Sequence, residues 1–216
     1  MHRSLLLAIL VMPCFANPVI DQSFTSGPSP LGYAINDAAK FVGQTYTAGL
    51  TGTLAGVEVD VFVNVCSQQP CIYPLDIQIQ SVAGGLPTGT ILGETTFSSG
   101  QSLLGSLITF ATSIPQVAGT QYAIVTDYPT APQPFGGGNW NGNGGGNLYA
   151  GGEAVSEASS GSPWSSSGCD GCDLFFETFV NTSVAIPEPS SLVLVLPLAA
   201  APVLLRRKIS GRHIPK

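Results

Sequence analysis

Val57-Glu58-Val59-Asp60-Val61-Phe62-Val63-Asn64-Val65 sets a valine at every second position. Successive side chains of a strand point to opposite faces, so a period of two marks a strand with one buried face. Leu75, Ile77 and Ile79 repeat the pattern against Asp76, Gln78 and Gln80. Further runs rich in β-formers cover residues 41–47, 90–97, 107–112, 121–126, 148–150 and 174–180. Turn signals separate them at residues 49–52, Gly84-Gly85-Leu86-Pro87, Ser98-Ser99-Gly100 and residues 115–119. Outside the two ends there is no amphipathic helical period; residues 36–40 could form a single turn. About eight short strands joined by Gly/Pro turns predict an all-β protein, an antiparallel β-sandwich of jelly-roll type.

Two stretches break the rhythm. Residues 127–147 hold Pro129, Pro132 and Pro134, then a run of Gly and Asn around Trp140, and read as one long irregular loop. A second loop, residues 155–168, contains Trp164. Trp140, Trp164, Tyr128, Phe135 and Tyr149 fall in or beside these loops. Flat rings exposed over a rigid sandwich can stack on sugars; the competing reading has both tryptophans plugging the open ends of the sandwich. Asp170, Asp173, Asp127 and Glu153 could supply oxygen ligands for calcium. No other cofactor is implied.

Charge excludes several functions. All thirteen acidic residues lie between Asp21 and Glu188, where Lys40 is the only base, giving that region a formal charge of −12. Nucleic-acid binding needs basic side chains to displace counterions, so it is ruled out. The two histidines, His2 and His213, and every arginine sit near the ends. Ser-His-Asp and Cys-His catalysis, His-ligated zinc and arginine-assisted phosphoryl transfer are therefore not expected in between. A two-carboxylate glycosidase survives this filter, but no acid pair is singled out by its spacing. The expectation is a non-enzyme.

The ends carry targeting features. Residues 1–16 read as a signal peptide: a basic start at Arg3, an apolar stretch from Leu5, and Cys14-Phe15-Ala16 before the cut. Met12 and Pro13 stand where lipidation at Cys14 would want small residues. Pro187-Glu188-Pro189 leads into an apolar segment, residues 190–205, closed by Arg206-Arg207-Lys208. Sixteen residues span roughly 24 Å as a helix, short of a bilayer core of roughly 30 Å. Pro197 and Pro202 weaken it further. The basic cluster should stay cytoplasmic, with residues 209–216 as a cytoplasmic tail. An ordinary tail anchor is the plain alternative. A lipid-anchor signal would end apolar rather than charged.

This box, short span and basic cluster, residues 185–208, resemble the PEP-CTERM sorting signal of exported bacterial proteins. The resemblance implies passage through the secretion machinery, removal of the leader by signal peptidase, and cleavage near Pro187, Glu188 and Pro189 by the membrane protease exosortase. It also implies a diderm bacterium that makes exopolysaccharide. The chain would be anchored briefly in the inner membrane, then placed at the cell surface or in the matrix. The exported domain is residues 17–184. Gln44-Thr45-Tyr46-Thr47-Ala48-Gly49 with Gly52-Thr53-Leu54-Ala55-Gly56-Val57 looks like the opening of a bacterial extracellular β-sandwich module, and residues 119–125 and 173–180 fit its later strands.

Four cysteines remain after the leader: Cys66, Cys71, Cys169 and Cys172. In an oxidising compartment they read as disulfides, with local closure Cys66–Cys71 and Cys169–Cys172 the first choice of three connectivities. A four-thiolate zinc site and a redox-active C-x-x-C compete with it. Asp170 and Asp173 beside the second pair would raise the thiol pKa and oppose redox chemistry.

Overall fold

The structure is a computed structural model, described for residues 17–35, 41–63, 74–97, 103, 105–127, 138–157, 161–166 and 171–182. These residues belong to one unit, Met1–Thr182. The signal peptide, the sorting signal, the apolar span, Lys40 and the single turn expected at residues 36–40 lie outside them.

The described residues form an all-β, antiparallel protein with no helix. In chain order the strands are β1 (Val19–Phe24), β2 (Pro30–Ile35), β3 (Phe41–Thr47), β4 (Gly52–Val59), β5 (Val61–Val63), β6 (Leu75–Ala83) and β7 (Leu86–Phe97). There follow β8 (Ile114–Gln116), β9 (Gln121–Asp127), β10 (Gly138–Asn143), β11 (Ala154–Glu157), β12 (Trp164–Ser166), β13 (Asp173–Leu174) and β14 (Phe176–Asn181). One sheet has the order β1-β14-β4-β8, a second β12-β11-β3-β9-β6-β7, and a third β13-β10-β2 with β5 also on β10.

The valine alternation does what its period requires. Val57, Val59 and Val61 are buried, whereas Glu58 and Asp60 are half-exposed. Asp60 interrupts the run, so one sequence pattern yields two strands, β4 and β5. Ile77, Ile79, Ile124 and Tyr46 share one buried cluster with Val57, Phe176 and Val180 of the first sheet, and the Tyr46 and Phe176 rings meet at 6.0 Å. Each fully buried aliphatic side chain contributes roughly 1.5–3 kcal/mol. Gln44, fully buried, links the layers: its Oε1 accepts from the Leu174 N–H at 2.7 Å and its Nε2 donates to the Thr45 carbonyl. Gly84 and Gly85 both have positive φ, 61° and 85°, which gives the two-residue turn that joins β6 and β7.

The long irregular loop expected at residues 127–147 is corrected by β10. This strand, Gly138–Asn143, pairs with β2 on one edge and with β5 and then β13 on the other. The β4–β5 and β13–β14 segments part at Asp60 and Phe175, and β5 and β13, both antiparallel to β10, cover opposite ends of the same edge of it. A closed ring of backbone bonds holds the junction. Asp60 N–H donates to Phe175 O, Phe175 N–H to Asn141 O, and Asn141 N–H to Asp60 O, at 3.3, 2.9 and 2.8 Å. Residues 155–168 are likewise not all loop, since β11 and β12 enter them. Residues 148–150 form no strand; the Leu148 and Tyr149 N–H groups donate to the Asp173 carboxylate instead. Of residues 107–112 only Ile108 pairs, in a single bridge to Val57.

Candidate functional site

β12 and β7 are the opposite edges of the six-stranded sheet, yet they touch. The sheet therefore curls around the face turned away from the core. Gly43 lies between Val125 and Val155, where an added Cβ would stand 2.8 Å from the Ile124 carbonyl oxygen and 3.2 Å from a Val125 methyl group. Ala123, Val125 and Val155 on this inner face are fully buried.

A polar row flanks them. Asp76, Gln78 and Gln80 alternate along β6 and are buried at 6, 5 and 3 % exposure, although the sequence pattern gives them the solvent side. Their bonding is directional. Gly89 N–H donates to Gln80 Oε1 at 3.2 Å, Gln80 Nε2 to Gln78 Oε1 at 2.8 Å, and Gln78 Nε2 to Glu94 Oε1 at 2.8 Å. Asp76 ends the row. Its Oδ1 is buried with no hydrogen bond, and burial, together with the nearby Glu94 charge, pushes its pKa up against a lowering bond from Thr96.

At the Gln80 end, where β12 approaches β7, opens a cavity of about 340 Å³ whose lining includes Phe41, Gln80, Thr88, Glu157, Ser162 and Trp164. Trp164 is half-buried, pairs with Glu157 across β11–β12, and tilts against Phe41 with centroids 6.2 Å apart. An aromatic wall, a carboxamide, a carboxylate and the Thr88 hydroxyl thus share one concavity. That mixture suits a ligand with an apolar ring face and several hydroxyls.

The other expected residues are dispersed. Trp140 offers no face to a ligand: it is fully buried in β10 and its Nε1 donates to Phe175 O at 2.9 Å. Tyr149 is a core residue, edge-on to Phe176 at 5.1 Å, and its hydroxyl donates to Gln22 Oε1. Burial pushes its pKa up to about 12. Tyr128 and Phe135 lie outside the described residues. Of the calcium candidates, Asp170 lies outside them. Asp173 is fully buried, accepts two backbone N–H bonds through Oδ2, and has no partner for Oδ1; burial raises its pKa. Asp127 and Glu153 are half-exposed, Glu153 using its backbone N–H on Thr45 Oγ1. Among the described residues no three His, Cys, Asp or Glu side chains stand close enough to share a metal ion. Cys172 is buried; Cys66, Cys71 and Cys169 are outside the described residues, as are Pro187, Glu188, Pro189, Arg206, Arg207 and Lys208.

Of the aromatic residues singled out in the sequence, Trp164 alone among the described residues lines this cavity; Phe41, Gln78, Gln80 and Glu157 were not singled out. The usable signal was two glutamines and no lysine on the polar face of a strand, an unusual choice for a face open to water. Comparison with protein-family models and with curated proteins finds no match to this chain.

Proposed function

We propose that this chain is an exported, non-enzymatic protein of the bacterial surface or matrix, processed near Pro187–Pro189 by a membrane protease of the exosortase kind. The C-terminal order of box, short apolar span and basic cluster carries the reading. The exported domain is a jelly-roll-like β-sandwich, and its cysteines close as Cys66–Cys71 and Cys169–Cys172. A region of formal charge −12 without histidine or arginine is consistent with a structural or binding role. Intact-mass measurement on protein recovered from its native host tests this. The expected mass lacks both ends and the hydrogens of four thiols. A C-terminus still at Lys216 would overturn the processing step.

A second reading, binding of exopolysaccharide, is favoured by one observation: Trp164, Gln80 and Glu157 line a common cavity. The role once shared among loop aromatics falls to Trp164 rather than Trp140. Glycan-array binding abolished by Trp164→Ala and retained by a conservative Trp140→Phe is the expected pattern; the reverse would sink it.

A further inference from the structure

The cavity at Trp164 has a charge character that narrows its ligand. Among the described residues lining it, Glu157 is the only ionisable one, with 6 % of its surface exposed. The remaining polar groups are neutral: the Gln80 carboxamide and the Thr88 and Ser162 hydroxyls. Gln80 Oε1 is engaged by the Gly89 N–H and its Nε2 by Gln78, so the carboxamide is held in one orientation by bonds on both sides. The row beyond it ends on Glu94 and Asp76, two further acids on the same face of the sheet. Thr88 is likewise fixed, its Oγ1 2.6 Å from Ser81 Oγ and accepting from the Thr90 N–H. A carboxylated or sulfated sugar would bring a second negative charge beside Glu157 in this half-open concavity. Like charges in such a place are strongly unfavourable.

We propose that this cavity takes an uncharged sugar unit of a glycan, its ring face on Trp164 with Phe41 behind it, and its hydroxyls bonded to Glu157, Gln80 and Thr88. The proposal rests on the reading of the cavity as a sugar site and adds the class of sugar. Hydroxyls donate well to a carboxylate, and such charge-assisted bonds are about twice as strong as neutral ones. The cavity volume of about 340 Å³ lies at the low end for small-molecule sites, which fits one ring of a longer chain rather than an extended segment.

The test uses the full chain in a zwitterionic detergent, so that no sugar headgroup competes. The probes are the gluco-, galacto- and manno-tetraoses and the tetraose of galacturonate. The readout is the indole N–H resonance of each tryptophan, with Trp140 reporting on an intact core. At least one neutral tetraose should shift the Trp164 signal and leave Trp140 unmoved, while the galacturonate tetraose binds about tenfold or more weakly. Glu157→Gln should weaken the neutral tetraose and narrow its lead over galacturonate. Trp164→Ala should abolish binding with the Trp140 signal in place. Equal or tighter binding of galacturonate would overturn the assigned class while leaving a sugar site. Silence of Trp164 toward every probe up to about 20 mM would overturn the sugar site as well. Neutral binding that survives Trp164→Ala would overturn the location.

Discussion

Trp140 buries its whole ring and directs its one N–H to the Phe175 carbonyl, so replacing it removes packing and a hydrogen bond together. Trp140→Ala should lower stability by about 3–5 kcal/mol in urea denaturation, the range for large aromatic truncations. Trp140→Phe keeps most of the volume and loses the bond, worth about 1 kcal/mol, together with some packing. Trp164→Ala should cost about 1 kcal/mol or less, because its ring is half-exposed on an edge strand. A larger loss at Trp164 than at Trp140 would contradict the placement of the two rings. Tyr149 gives a second check. Its folded pKa of about 12 exceeds the ordinary value of 10.0, so the native state holds the phenolic proton more tightly. The stability it contributes is complete below about pH 10 and is lost as pH rises toward 12. Alkaline unfolding followed by circular dichroism should begin above about pH 10, and Tyr149→Phe should lessen the pH dependence in that window.

β4 and β14 place Glu58 directly opposite Glu177, two like charges on neighbouring strands. Glu177 also accepts from Ser23 Oγ at 2.7 Å. Glu58→Lys should stabilise the pair by roughly 0.2–1 kcal/mol, a gain that chemical denaturation should show shrinking in high salt. The strands most readable from sequence are those with bulky alternating residues. β3 falls on the expected residues 41–47, and β4, β5, β6 and β9 follow their valine and isoleucine patterns. β10 was hidden because Gly and Asn normally mark turns. Its own period of two is nevertheless there: Gly138, Trp140 and Gly142 on one face, Asn139, Asn141 and Asn143 on the other. Gly142 is needed for a local reason, since a Cβ there would run into the Asp173 carbonyl oxygen and the Leu174 backbone. Alternation names the two faces of β6 but not what lies over each. The glutamines hint at a covered face, but the curl over Gln78 and Gln80 brings together β7 and β12, which are distant in sequence, so the cavity itself has no local pattern.

For the whole molecule, buried acids oppose the usual pH trend. Asp76 and Asp173 have folded pKa values raised first of all by burial, so the native state binds their protons more tightly than the unfolded chain does. Their protonated forms favour folding, and this advantage is lost as pH rises from the unfolded value of about 3.9 through the raised folded values. Self-repulsion of a region carrying −12 acts in the same direction. The melting temperature should therefore be higher near about pH 4.5 than near about pH 7.5, and Asp173→Asn should flatten part of that slope. A steady fall on acidification would contradict the burial of these two carboxyls. The sheet order has a further bearing on how the chain matures. β14, the last described strand, is not an edge but lies between β1 and β4, and only its arrival brings Phe175 to the ring with Asp60 and Asn141. A nascent polypeptide stopped before residue 173 would hold its first and fourth strands with no neighbour between them and their amide edges bare. Such ribbons are sticky, and pairings so far apart along the chain are slow to form. Synthesis must pass β14 before this domain can close, so a chaperone acting on the growing chain would meet it as an open thread rather than a folded body.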